Sequence, residues 1–351
     1  MRSLKNFNVF NKKVLVRCDF NVPVDNHGNI LDDSKILKVA KTIEYLVLRK
    51  ASITLMGHLG QVDGQFDVKL KFDKIAKKLI EHINLPVAKA EEGSGYEVER
   101  YINSMQPGNI FLLENLKFKN EEVNGDVEFS KKFSFLHEIY INDDFVDCDK
   151  FYASITGVPQ YLNSGTGLAL EEEINNLNQI LRENSSGNSK INKPLVVIVG
   201  GKSTDVKLKF IDKIANIADW ILVGNLIKEG LAKKEMLFKN QDKIIYPLGL
   251  ENNFDIDQNT LEIFKEKINQ AKSVFWYGPI GEINNKHFNG TLSIAKEIIN
   301  KKIFSVVCGQ ELVSFLQDNK LLSDFTFASN GREVSLKYLS EDKLPGLAAL
   351  E

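Results

Sequence analysis

The feature that most restricts the fold is an alternation. Short runs of β-branched residues recur along the chain, and each is followed by a longer stretch of helical period. Parallel strands joined by crossover helices give that pattern. Strand candidates lie at 14–16, 53–56, 110–113 and 139–141 in the first half, then at 196–199, 221–223, 274–276 and 305–307. Amphipathic stretches at 35–48, 72–83, 128–136, 207–217, 261–271, 292–299 and 311–316 read as helices between them. A further helix opens at Leu170-Glu171-Glu172-Glu173-Ile174 and runs to about Arg182. It is followed by Asn184-Ser185-Ser186-Gly187-Asn188-Ser189, whose composition is that of a linker. The expected fold class is α/β, with an open parallel sheet in each half and the domain boundary at this helix and linker.

With 351 residues, 43% of them hydrophobic, the chain can bury two cores, and disorder or a small disulfide scaffold is excluded. The 45 cationic and 47 acidic residues leave a net charge of −2, with no basic stripe, so neither nucleic acid nor an anionic membrane is an expected partner. Only six cations are arginines: Arg2, Arg17, Arg49, Arg100, Arg182 and Arg332. Cys18, Cys148 and Cys308 are odd in number and lack CxxC spacing, which predicts buried thiols in a reducing compartment. The five histidines share no metal-ligand spacing. The N-terminus leads into polar residues and no later stretch has the ~20 apolar residues of a membrane span, so a cytoplasmic location is expected.

Ligands of open α/β sheets sit outside the carboxyl ends of the strands. In the first half these ends carry Arg17-Cys18-Asp19-Phe20-Asn21, Gly57-His58-Leu59-Gly60, Glu114-Asn115 and Asn142-Asp143-Asp144-Phe145. In the second half they carry Gly200-Gly201-Lys202-Ser203-Thr204, Tyr277-Gly278-Pro279 and Cys308-Gly309-Gln310-Glu311. The first of these ends in GKS but has Val196 where a P-loop needs its first glycine. What remains is a glycine turn whose amides attract anions, with Lys202 and Lys207 adding charge.

Several of these segments together resemble the phosphoglycerate kinase family. They are Val14 to Pro23, Asp32-Asp33-Ser34-Lys35-Ile36, Met56-Gly57-His58-Leu59-Gly60, Leu112-Leu113-Glu114-Asn115, Asn142-Asp143, Gly200-Gly201, Trp276-Tyr277-Gly278-Pro279 and Leu344-Pro345-Gly346-Leu347. The resemblance implies two doubly wound three-layer αβα domains with parallel sheets, joined by a hinge helix, with a phosphoglycerate-binding domain over 1–168 and the hinge helix and linker over 169–190. A shortened nucleotide-binding domain would follow over 191–335, with 336–351 returning to the first domain. It further implies reversible phosphoryl transfer between 1,3-bisphosphoglycerate and ADP, giving 3-phosphoglycerate and ATP, by a monomer that takes Mg2+ with the nucleotide and closes a hinge over its substrates.

Carried over position by position, the resemblance implies substrate binding by Asp19, Asn21, Lys35, His58, Gln61, Lys117 and Lys150. Nucleotide binding falls to Gly200, Gly201, Lys202, Lys207, Gly278, Gly309, Glu311 and Gly331, with Glu311 beside the metal. Lys35, Lys202 and Lys207 take the catalytic roles, and Arg17 reads as a structural ion-pair partner. The departures are specific. Family arginines fall on Lys35, Gln61, Lys117 and Lys150, and lysine keeps the charge of arginine but loses its planar fork. On the nucleotide side, the first lysine of the family pattern aligns with Ser203 unless Lys202 takes its place. Tyr277 stands for an asparagine, Gly331-Arg332-Glu333 for a triple glycine, and the segment from Gly224 to about Asp257 is several dozen residues short. A carboxylate at Glu333 is expected to repel phosphate unless it turns outward. These replacements leave two expectations open, a working kinase or an impaired homologue kept as a binding or scaffold protein.

Overall fold

The computed structural model describes residues 1–181, 193–233, 240–252, 254–283, 288–340 and 342–351. The chain forms two compact units, one of Met1–Glu172 with Lys343–Glu351, the other of Glu173–Asp342. The expected boundaries at 168–169 and 335–336 fall at the start of one helix and inside another. The linker expected at 184–189 lies outside the described residues.

The first unit holds six strands: β1 (Lys13–Cys18), β2 (Ser52–Gly57), β3 (Ala88–Lys89), β4 (Ile110–Leu112), β5 (Ile139–Asp143) and β6 (Asn163–Thr166). They pair in parallel in the order β3-β4-β2-β1-β5-β6. Its helices are α1 (Ser34–Val47), α2 (Asp73–Ile83), α3 (Tyr96–Ser104), the short α4 (Asn120–Val123), α5 (Val127–Leu136) and the start of α6 (Leu168–Leu181). Along α1, Ile36, Val39, Ala40, Ile43 and Leu46 recur at helical spacing and bury against the sheet. Asp143 ends β5 and accepts from the amides of Ala169 (2.9 Å) and Leu170 (3.0 Å), fixing where α6 begins. Burial pushes its carboxyl up to about 6 despite those bonds.

The second unit holds β7 (Leu195–Val199), β8 (Trp220–Val223), β9 (Ile244–Ile245), a small antiparallel pair β10 (Leu250–Glu251) and β11 (Asp255–Ile256), then β12 (Ser273–Tyr277), β13 (Phe304–Cys308) and β14 (Phe327–Ser329). Its main sheet is parallel in the order β14-β13-β12-β7-β8-β9. Helices α7 (Asp205–Ile214), α8 (Asn225–Lys233), α9 (Gln258–Gln270), α10 (Asn289–Lys301), α11 (Gln310–Asp318) and α12 (Glu333–Leu339) connect them. The chain closes with α13 (Pro345–Ala348), packed back on the first unit, where the Gly346 amide donates to the Cys148 carbonyl at 2.8 Å.

The eight strands expected from sequence are the eight interior ones of the two main sheets; of the six that were missed, β3, β6, β9 and β14 are the edges of those sheets and β10 and β11 form the small antiparallel pair. Interior strands such as β7 and β12 bury every residue and read as continuous apolar runs. Edge strands are two to four residues long here and carry no such run. The three cysteines are buried and unbridged. Among the described residues no helix is long and apolar enough to cross a membrane.

Candidate active site

In the first unit the ends of β1, β2, β4 and β5 bring all seven expected substrate residues to one side of the sheet. Their charges are largely spent on one another. Lys35, at the start of α1, lies 2.7 Å from Asp19. Lys150 pairs with Asp149 at 3.3 Å. Arg17 is fully buried and lies 2.7 Å from Asp144 and 2.6 Å from Asp147, the structural role that sequence reasoning gave it.

His58 differs most from its expected place among the substrate-binding residues. Its ring is 1% exposed, with Nε2 2.8 Å from Glu122 and Nδ1 3.1 Å from Asp147. Nδ1 also lies 2.9 Å from the Arg17 guanidinium, so both nitrogens are occupied by protein groups. His58 holds the network under the strand ends instead of facing a ligand. Burial alone pushes the Glu122 and Asp147 carboxyls up, but His58 and Arg17 more than offset this and hold both below the usual range. Asp144 goes the other way, raised by burial and by the neighbouring Asp147 charge despite Arg17.

Lys117 is the exception among these cations. It is 2% exposed, and its ammonium donates to the neutral Gln61 amide oxygen at 2.8 Å and lies 5.5 Å from the Tyr152 ring centre. Burial lowers its pKa, the mark of a cation short of compensation. Asn21 accepts from the Gly60 amide at 3.1 Å, which ties the β1 and β2 ends together. Glu114 and Asn115 are buried and used on the backbone amides of Phe72 and Leu59 and on Lys89, so they build the loops and leave ligand contacts to others. Sequence reasoning missed Glu122, Asp147 and Tyr152. The acidic run Asp144, Asp147, Asp149 was the available signal.

The second unit gathers its expected residues at the ends of β7, β12, β13 and β14. Gly200 and Gly201 run against Gly278 and Pro279, with the Gly200 amide donating to Tyr277 (2.8 Å) and the Gly201 amide to Pro279 (2.7 Å). A Cβ on Gly200 would stand 1.9 Å from the Pro279 carbonyl oxygen, so only glycine permits this approach. The Gly278 amide donates in turn to Cys308 at 3.1 Å, and Gly309 follows at φ +94°.

Lys207 is buried and clips this turn by donating to the carbonyls of Gly200 (2.8 Å) and Lys202 (2.7 Å). Burial lowers its pKa to about 8, with Glu333 and Glu311 opposing the shift. Lys202 is exposed, and its ammonium has no protein partner among the described residues. Glu311, exposed in the first turn of α11, stands near Gly201. Glu333 accepts from the Thr204 hydroxyl at 2.8 Å, so a protein contact already fixes its carboxylate. Gly331 is buried behind Ser329, to which its amide donates at 3.2 Å.

Among the described residues no cluster of three metal-ligating side chains occurs. Glu311 offers a single carboxylate, which suits Mg2+ held mainly by nucleotide phosphates and water. The pocket lined by Gly201, Asn225, Leu226, Phe254, Ile280, Gly281 and Glu282 has room for about one water molecule (≈ 20 Å³). A larger cavity of ≈ 790 Å³ runs along α3, between Lys89, Tyr96, Tyr101 and Phe111, and none of the expected site residues lines it.

Two doubly wound parallel sheets with glycines and cations at their strand ends define an α/β protein of the class that takes anionic ligands there. The phosphoglycerate kinase family model matches residues 4–241 and 231–342. Phosphoglycerate kinase of Dictyoglomus turgidum is 33% identical over 387 residues, covering 97% of this chain and 96% of the relative. That of Coprothermobacter proteolyticus is 29% identical over 394 residues, covering 100% and 98%. The structure of phosphoglycerate kinase from Pyrococcus horikoshii superposes with a TM-score of 0.84 at 24% identity, over 100% of this chain and 98% of the other. That from Coxiella burnetii gives 0.82 at 24% identity, over 99% and 98%. The chain belongs to the phosphoglycerate kinase family.

Proposed function

We propose that the chain carries out the family's reaction, reversible transfer of a phosphoryl group between 1,3-bisphosphoglycerate and ADP to give 3-phosphoglycerate and ATP. The observation that carries this reading is the juxtaposition at the β7, β12 and β13 ends of a glycine turn, Lys207 and Glu311, a set suited to polyphosphate. Phosphoryl transfer asks little covalent chemistry of a protein and much positioning and positive charge.

In the first unit, Lys117 with Gln61 takes the phosphate of 3-phosphoglycerate, and Asp19, Asn21 and Lys35 orient the glycerate. Lys150 adds attraction from the rim. In the second, the side-chain-free Gly200–Gly201 turn gives the nucleotide phosphates close access, Lys202 meets them, and Lys207 holds the turn and contributes charge. Glu311 would hold Mg2+, which supplies neutralisation of phosphate charge when bound with ATP or ADP. On this reading the partners are small molecules, and the chain works in the cytoplasm as a monomer.

A second reading, an impaired homologue retained as a binding or scaffold protein, is favoured by one observation: Lys35, Lys150 and Arg17 are all matched by carboxylates of the same site. A coupled assay with 3-phosphoglycerate and MgATP separates the two. The kinase reading expects turnover of ~1–100 per second. Nucleotide binding without turnover at millimolar substrate would leave only the second.

A further inference from the structure

Arg332 combines three features. Its backbone lies at φ +51°, ψ −137°, a region that L-residues other than glycine avoid because of the Cβ. Asn84 and Lys302, which also have positive φ, sit instead at ψ +38° and +35°, in the ordinary left-handed well. Strain of this kind persists only where the surroundings enforce it, and here they do. The Arg332 carbonyl accepts from the Cys308 thiol (3.6 Å) and from the Ser335 amide (3.2 Å), and the neighbouring Glu333 is tied to Thr204.

The second feature is the guanidinium. Arg2, Arg17, Arg49 and Arg100 each donate to a protein acceptor. Arg332 alone of the described arginines makes no hydrogen bond or ion pair, although its side chain is half-buried. Five donors are thus held near the protein surface with nothing to bind.

The third is place. The Arg332 carbonyl is bonded to the Cys308 thiol at the end of β13, the Cys308 carbonyl accepts from the Gly278 amide, and the Lys207 ammonium lies 5.2 Å from the centre of the neighbouring Tyr277 ring. Arg332 therefore shares the corner where β12 and β13 end beside the Gly200–Gly201 turn. Glu333 does not cancel it, because that carboxylate is directed to Thr204 and Lys207.

From these features we infer that Arg332 is a polyphosphate-binding residue of the second unit, its planar fork receiving a phosphoryl group of the nucleotide. The inference rests on the kinase reading for the identity of the ligand, and on the strained backbone and unpartnered guanidinium for the residue. The full-length chain and the variants Arg332→Gly and Arg332→Lys would be titrated calorimetrically with MgADP and with magnesium pyrophosphate. Each would also be melted and assayed with 3-phosphoglycerate and MgATP.

The expected result is at least a tenfold loss of affinity for both ligands in Arg332→Gly, with a smaller loss in Arg332→Lys. The melting midpoint of Arg332→Gly should rise by about 2 °C as the strain is relieved. A purely structural Arg332 would instead leave affinity unchanged. Equal affinities in all three proteins, or no pyrophosphate binding by the unaltered chain, overturn the inference. Full turnover in Arg332→Gly with unchanged binding removes Arg332 and leaves the kinase reading standing. Absent turnover in the unaltered chain, together with the tenfold binding loss, removes the kinase reading and leaves Arg332.

Discussion

The two strand-end clusters treat their cations in opposite ways. In the first unit Arg17, Lys35 and Lys150 each have a carboxylate within 3.3 Å, leaving Lys117 with a neutral amide as its partner. In the second, Lys207 is bonded to carbonyls, and Lys202 and Arg332 have no protein partner among the described residues. A cation already paired has little left for a ligand, whereas one held by carbonyls or by nothing keeps most of its field. The nucleotide side combines four replacements with a shortened segment, yet the uncompensated charge is there.

The sharpest way to break this contrast is Arg17→Met. It leaves Asp144 and Asp147 buried without their cation, and about 3–5 kcal/mol of stability should go, read by urea unfolding. A loss under 1 kcal/mol would show that the first-unit network is not held together by its charges.

Acid titration gives the next largest effect. His137, at the end of α5, is buried with its Nδ1 bonded to the Phe133 carbonyl (2.8 Å), and burial lowers its pKa to about 4. The folded chain keeps it neutral while the unfolded chain protonates it near 6.5. Its contribution is therefore complete above pH 6.5 and is lost as pH falls towards 4, by roughly 3 kcal/mol. His137→Phe should flatten that part of the stability profile.

Lys207→Met should weaken MgADP binding about tenfold. In the unaltered chain the affinity should fall as pH rises through about 8, because the proton that binding requires is then lost. A flat profile between pH 7 and 9 would contradict a charged role for Lys207. Smallest of all, Asp149→Asn releases the exposed Lys150 and should tighten 3-phosphoglycerate binding about twofold to fivefold, the scale of a surface ion pair.

The interior of both sheets was legible in sequence because strands covered on both faces must be apolar throughout. The edges were not, since a strand such as β6 (Asn163–Thr166) needs only one neighbour and no apolar run. The site was legible as a set of residue types at strand ends. Its charge balance was hidden, because nothing in the order Asp143-Asp144-Phe145-Val146-Asp147 says that Asp144 and Asp147 both turn towards Arg17 and that Asp147 reaches His58 as well. Arg332 likewise read as a departure from glycine, and only the backbone angles show that the glycine conformation was kept.

The central claim, that the second unit keeps its positive charge available while the first has neutralised its own, is tested most directly by calorimetric titration of the full chain with MgADP and with 3-phosphoglycerate at low and high salt. The account predicts a dissociation constant for MgADP at least tenfold below that for 3-phosphoglycerate, with the steeper salt dependence on the nucleotide. Binding of 3-phosphoglycerate as tight as that of MgADP, and as sensitive to salt, would contradict it.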